Sequence, residues 1–227
     1  MSMYTHKVPW LPKEHTVIDG YEDMANFYMF KDYADLIESG QQHVSEDIHK
    51  LFTYLYKVVL TLDIYLDVTA TEAAYQTPKK YFPHDLFPWE RFLIPFIFGL
   101  RFKSDDTLVF NEYFLYMARG AGKNYFMSWI IFALITNING IKKYNVAISS
   151  ASERQAKTSY IDIREVIKGN PKLKKNFPTS TQKEMKSAST NSDFRYLSSN
   201  GNTMDGQRLG AAYLDEIHAI VDYASLQ

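Results

Sequence analysis

The sequence predicts an α/β fold, with a mainly parallel central sheet flanked by helices and a helical appendage at the N-terminus. Three observations carry this. A tight glycine turn at Gly120 and Gly122 separates an aromatic, apolar stretch from an apolar helical run. A second apolar stretch, Ala211 to Leu214, ends in two adjacent carboxylates, Asp215 and Glu216. Around these, short strand-like runs alternate with helix-like ones, as crossover connections between parallel strands require.

The glycine turn is the most informative stretch. Tyr113 to Ala118 has the apolar density of a strand buried on both faces. Gly120 and Gly122 let the backbone turn sharply and approach a ligand. After Lys123, Phe126, Met127, Trp129, Ile130, Ile131, Phe132, Leu134 and Ile135 form an apolar helical run. A helix that starts at such a turn aims unpaired N–H groups and its positive dipole end at the turn. That makes Gly120, Ala121, Gly122, Lys123 and Asn124 a candidate phosphate cradle, with Lys123 adding a point charge at the outer phosphates. The pattern G-x-x-x-x-G-K-[ST] is incomplete here, with Met117 for its first glycine and Asn124 for its hydroxyl. An amide oxygen at Asn124 is also a ligand for a hard cation such as Mg²⁺. Gly-x-Gly-Lys alone is equally compatible with a plain turn and a surface lysine.

The acidic strand end changes that balance. Asp215 would hold Mg²⁺ directly or through water. Glu216 would polarise the water that attacks the terminal phosphate. Both motifs occur in the right order, roughly 90 residues apart, which makes a chance acidic turn the poorer reading.

The other elements follow in chain order. Residues 1–20 hold Trp10 between Pro9 and Pro12 without periodicity, and read as an irregular arm. Residues 21–39 are helical in pattern and end at Gly40. Ser45 is a cap for the next helix, with Glu46 and Asp47 in its first turn. Ile48, Leu51, Phe52, Leu55, Val59, Leu62 and Leu66 paint one face of a long amphipathic helix. Pro78, Pro83 and Pro88 then break the pattern, placing a boundary near 78 between the appendage (1–78) and the α/β domain (79–227). Asn145 to Ser149 reads as a strand. A helix opens at Ser152 and runs to about Lys168, stopped by Gly169-Asn-Pro171. Phe194 to Leu197 is a short strand, and Ser198 to Gly206 a turn-rich loop.

Composition narrows the function classes. The chain has 227 residues, 46% hydrophobic, with a formal net charge of −1. That excludes disorder and a uniformly basic nucleic-acid binder. No cysteine is present, which excludes disulfides, thiol catalysis and cysteine-bound zinc. His43 and His49 have no third ligand spaced with them and read as surface residues. The N-terminus lacks a signal pattern, and the nearly apolar run Tyr125 to Ile135 is too short to span a bilayer. A soluble intracellular protein is expected. Charge is uneven: from Lys142 to Lys186 there are 11 Lys or Arg and 4 Asp or Glu. Such a face suits either solvent or a polyanion.

At this point the residues resemble the large subunits of tailed-phage DNA-packaging terminases. The resemblance covers about 85 to 220. It rests on Phe87-Pro-Trp-Glu-Arg-Phe, Arg119-Gly-Ala-Gly-Lys, Ala151-Ser-Glu-Arg-Gln-Ala, Met204-Asp-Gly-Gln-Arg and Leu214-Asp-Glu-Ile-His. It implies a P-loop NTPase of the ASCE type, using ATP and Mg²⁺ to thread double-stranded DNA into a procapsid in the host cytoplasm. Portal protein, a small terminase subunit and further copies in a ring are the implied partners, with no membrane. Trp89 and Glu90 would hold adenine, Glu90 standing where the family usually carries Gln. Arg119 would contact the β- and γ-phosphates and offset charge in the transition state. Arg208 would be an arginine finger toward a neighbouring subunit's nucleotide; a salt bridge with Asp205 or another local carboxylate is an equal competing reading. The family's ATPase part is followed by a nuclease domain, for which these 227 residues leave no room, so an N-terminal ATPase portion is expected. Two rivals remain open: a helicase-like DNA translocase, and a nucleotide-binding module with little hydrolysis.

Overall fold

A computed structural model describes residues 3–7, 14–118, 120–150, 153–181, 183–197 and 208–215. They form two compact units, Met1–Gln76 with His84–Tyr116, and Thr77–Pro83 with Met117–Gln227. The chain therefore passes between units three times, where the sequence places a single boundary near 78.

The first unit contains, in order, β1 (Met3–Lys7), β2 (Glu14–Asp19), α1 (Tyr21–Ala25), α2 (Tyr28–Glu38), α3 (Glu46–Thr61), β3 (Ile64–Asp67), α4 (Val68–Lys79, which runs on into the second unit), α5 (Pro88–Phe98) and β4 (Leu100–Phe102). Its strands make one antiparallel sheet in the order β1-β2-β3-β4. The appendage is thus not wholly helical. The arm expected to be irregular supplies a hairpin, with Met3 opposite Ile18. The long helix expected to reach Leu66 ends at Thr61, and all four residues of β3 are buried. A four-residue apolar run reads alike in a helix and in a buried strand. Here the long-range pairing with β2 and β4 decides it. Ser45 does sit at the start of α3, although its side chain makes no capping bond. His43 and His49 are exposed.

Aromatic packing holds this unit. Phe92 of α5 meets Phe30 and Tyr33 of α2 and Phe52 of α3, with ring centroids 5.0–5.8 Å apart. Such pairs contribute about 0.5–1.5 kcal/mol each beyond area burial. The wholly buried Asp67 is satisfied on three sides. It lies 2.6 Å from His15 Nδ1 and 3.5 Å from Arg101 Nε, and accepts the Ala70 N–H.

The second unit holds α6 (Lys123–Ile135), β5 (Val146–Ser150), α7 (Glu153–Gly169), α8 (Pro171–Asn176), β6 (Thr179–Ser180), β7 (Glu184–Lys186), β8 (Asp193–Leu197) and β9 (Ala211–Asp215). The strand order is β6-β7-β8-β5-β9. β8, β5 and β9 are parallel, whereas β6 and β7 pair antiparallel. The sheet is therefore mixed rather than mainly parallel. The antiparallel edge is a tight hairpin whose turn is fixed by the Thr181 hydroxyl, which accepts the Lys183 and Glu184 N–H groups. Nothing in its short, polar sequence marks it as strand.

Tyr113 to Ala118 forms no strand. Phe114 and Tyr116 are 78% and 92% exposed, and the Tyr113 hydroxyl donates to the carbonyls of Phe96 and Phe110. Aromatic density alone implies two-sided burial, which these exposures contradict. In the fold one ring is tied down by its hydroxyl and two others point outward.

The apolar run after the glycine turn is a helix buried on nearly every side. Phe126, Trp129, Ile131, Phe132 and Ile135 are each 1% exposed or less. A helix apolar all round belongs in a core. Trp129 packs 5.2 Å from Phe82. Two features bring β9 onto β5. The Gly210 N–H donates to the Asn145 carbonyl. The Tyr144 ring lies so near Gly210 that a Cβ there would sit 2.5–2.7 Å from its carbons.

Candidate functional site

The site is built where α6 begins. Gly122, just before Lys123, takes the left-handed conformation (φ 94°, ψ 0°), and Gly120 also has a positive φ of 83°. Only glycine adopts these angles without strain. A side chain at Gly120 would meet open space, so the turn is clear on that side. No side chain caps α6 and no acidic residue stands in its first turn. Its leading N–H groups are left to serve another acceptor. Lys123 has the wrong sign for a helix N-terminus, where a cation costs roughly 0.3–1 kcal/mol.

That cost is offset from β9. Lys123 Nζ lies 2.6 Å from Asp215 Oδ1, across 92 residues of sequence. Asp215 ends the strand and is 3% exposed, beside Ser150 in the parallel register. The C-terminal ends of parallel strands are where α/β sheets place their ligands. The Tyr213 hydroxyl donates to the same oxygen at 3.1 Å. Thus Lys123 and Asp215, one residue from each motif, meet, with Tyr213 and Ser150 beside Asp215. Neither was singled out from the sequence. Tyr213 was legible in principle, because a residue two before Asp215 shares its face of the strand.

The other predicted residues are placed as follows. Asn124 is the second residue of α6, and its carbonyl accepts the Ser128 hydroxyl. Ala121 is half-buried in the turn. Arg208 is exposed, with its carbonyl accepting from Asn145 Nδ2 at 3.3 Å. Arg119, Glu216, Asp205 and the loop Ser198 to Gly206 lie outside the described residues. The basic stretch is solvent-facing: Lys142, Lys168, Lys172, Lys174, Lys175 and Lys186 are all exposed.

Trp89 and Glu90 belong to the first unit, in the first turn of α5. Trp89 is half-buried, and Glu90 is 1% exposed. One Glu90 oxygen, Oε2, accepts the Phe87 N–H at 2.8 Å and so closes the helix start. The other, Oε1, is buried without a partner among the described residues. Burial pushes this carboxyl up to about 7, against the opposing pull of the Phe87 N–H. The folded chain therefore holds the proton more tightly than the unfolded one. Glu90 contributes stability that is full below its ordinary carboxylate range and is lost as pH rises through about 7. Glu90→Gln keeps the acceptor and cannot ionise. Relative to the parent it should gain on the order of 2 kcal/mol between pH 5 and pH 8. Urea unfolding at the two pH values measures this, and an equal difference at both would contradict the assignment.

Fold and site together describe an α/β protein with a lysine-led helix start facing a strand-end carboxylate. Residues 88–226 match the family described as terminase large subunit, ATPase domain, and the chain belongs to that family. Among solved structures, the crystal structure of the HK97 bacteriophage large terminase is similar, at 19% identity and a TM-score of 0.55. The match covers 66% of this chain and 34% of that one, so the chain spans about a third of that terminase. No curated protein matches. No helix among the described residues is long and apolar enough to cross a membrane.

Proposed function

We propose that this chain is the ATPase part of a DNA-packaging motor, a P-loop NTPase of the ASCE type. ATP hydrolysis at the Gly120–Asn124 turn would drive double-stranded DNA into a procapsid in the host cytoplasm. The observation that carries this reading is the Lys123–Asp215 contact. It joins the two halves expected of a phosphate and magnesium site in one place.

The chain's own groups divide the work. The N–H groups of the Gly120–Asn124 turn, of which Ala121's is now donated to the Ala118 carbonyl, and the Lys123 ammonium bind the phosphates. Arg119 offsets charge that builds on the transferred group. Glu216 orients the attacking water and accepts its proton. Arg208, exposed on the approach to β9, is available to a neighbouring subunit. Trp89 and Glu90 would hold adenine by the family resemblance, although Glu90 already spends one oxygen on the start of α5.

The donor set fits magnesium. Among the described residues no three His, Cys, Asp or Glu cluster as a cage. A single carboxylate, Asp215, with Asn124 as a candidate second oxygen, matches an ion that keeps water and phosphate as its other ligands. When bound, Mg²⁺ neutralises charge on the β- and γ-oxygens. The exposed lysines between Lys142 and Lys186 suit a polyanion such as DNA. Portal protein, a small terminase subunit and a ring of copies complete the proposal.

The first test is Lys123→Ala. It removes a charge-assisted phosphate contact worth roughly 1.5–3 kcal/mol, read as lost ATP affinity in calorimetry. Unchanged affinity would refute the phosphate assignment.

A further inference from the structure

Asp215 carries two donors on one oxygen. Lys123 Nζ and the Tyr213 hydroxyl both reach Oδ1, at 2.6 and 3.1 Å, in a site where the carboxylate is 3% exposed. Neither contact uses Oδ2. The two donors differ in what else they can do. Lys123 leads α6 from a glycine turn and is 28% exposed at its side chain, so it can turn to an anion at that turn. Tyr213 lies on β9 itself, two residues from Asp215 on the same face, and is carried with it.

A phosphate that takes Lys123 would strip Asp215 of its cation. A buried carboxylate left with no donor is costly and is free to change rotamer. The Tyr213 hydroxyl removes that cost, since it stays on Oδ1 while Oδ2 remains available to a cation. We propose that Tyr213 is a positioning residue: it keeps the Asp215 carboxylate aimed when Lys123 leaves it for a phosphate. This rests on the nucleotide reading of the site. It adds a partner exchange in which the lysine passes from Asp215 to the phosphate while the tyrosine stays on Asp215.

The consequence is specific to the metal side of the site. Loss of a hydrogen-bonding partner behind a ligand typically lowers metal affinity 10–100-fold. In Tyr213→Phe, the magnesium concentration that half-saturates the enhancement of ATP binding should rise about tenfold. ATP affinity in EDTA should fall by less than this, because the aim of the carboxylate matters to the metal and not to the phosphates. In an Asp215→Asn background the same Tyr213→Phe change should have no further effect on the magnesium titration.

The experiment is a magnesium titration of fluorescent ATP analogue binding, in the full chain, for the parent, Tyr213→Phe, Asp215→Asn, the double variant and Lys123→Ala. A tenfold shift that vanishes in Asp215→Asn supports the inference. An unshifted titration overturns it. So does an equal loss of affinity with and without magnesium, which marks Tyr213 as structural, or a shift that persists in the Asp215→Asn background. The Lys123→Ala arm separates the two levels. If it weakens ATP binding while Tyr213→Phe changes nothing, only the positioning role falls. If Lys123→Ala binds ATP as well as the parent, the nucleotide reading falls and the positioning role with it.

Discussion

Glu216→Gln is expected to lower ATP turnover by roughly 10²–10⁴-fold while ATP affinity stays nearly intact. Asp215 closes β9 and is buried against Lys123, so it belongs to the binding side of the site. Its removal should weaken magnesium-dependent binding as well as rate. Glu216 follows it in the chain, and its proposed role is to orient the water beyond the terminal phosphate. Gln keeps the shape and removes the basic oxygen. The comparison is phosphate release against calorimetric affinity, in a form of the protein that turns over ATP. If Glu216→Gln keeps full turnover while Asp215→Asn loses turnover alone, the two roles are exchanged. If neither substitution matters, the acidic pair is structural and the motor reading fails.

Trp129→Ala should be the most damaging core substitution in the second unit, costing about 3–5 kcal/mol. Trp129 is fully buried and packs against Phe82, on a helix with almost no solvent face. The rings that border it, Phe82 and Tyr125, are stiff and would fill the resulting cavity poorly. Since α6 also carries Lys123, lost packing should disorder the phosphate turn with it. Denaturant unfolding should show the loss, and Trp129→Phe, which keeps a ring, should lose markedly less. A Trp129→Ala midpoint equal to that of the parent would mean that α6 is not a core helix.

The parts of the fold that could be read in the sequence are those with a local cause. Gly120 and Gly122 announce positive φ, and the apolar run after Lys123 announces a buried helix. The β5 run of Val146, Ala147 and Ile148 is apolar enough to declare a central strand. Non-local pairing was not legible. Met3–Lys7 looks like an arm until β2 is beside it, and β2 needs β3, some 50 residues on. Leu66 fits a helical stripe as well as it fits β3. The aromatic run at Tyr113 misled because hydrophobicity does not say whether a sheet is present to receive it. At the site, Lys123 and Asp215 were legible because each residue type is unusual in its place. A lysine at a helix start and an aspartate at the end of an apolar strand both need a partner. Tyr213 is one of 17 tyrosines, and only the shared oxygen at Asp215 marks it out.

The 92-residue separation of Lys123 and Asp215 also has a kinetic meaning. The hydrogen bonds of helix α6 join near neighbours in sequence, but the carboxylate arrives only when β9 docks on β5. Loop-closure entropy delays such long-range pairing relative to helix formation. The lysine end of α6 therefore spends the early folding time without its counter-charge, and the ion pair forms among the last contacts of the unit. On the proposed reading, ligand affinity and folding are then tied in time: a chain in which β9 has not docked has the phosphate turn but lacks the carboxylate for the metal. Only a chain folded through β9 holds both halves of the site.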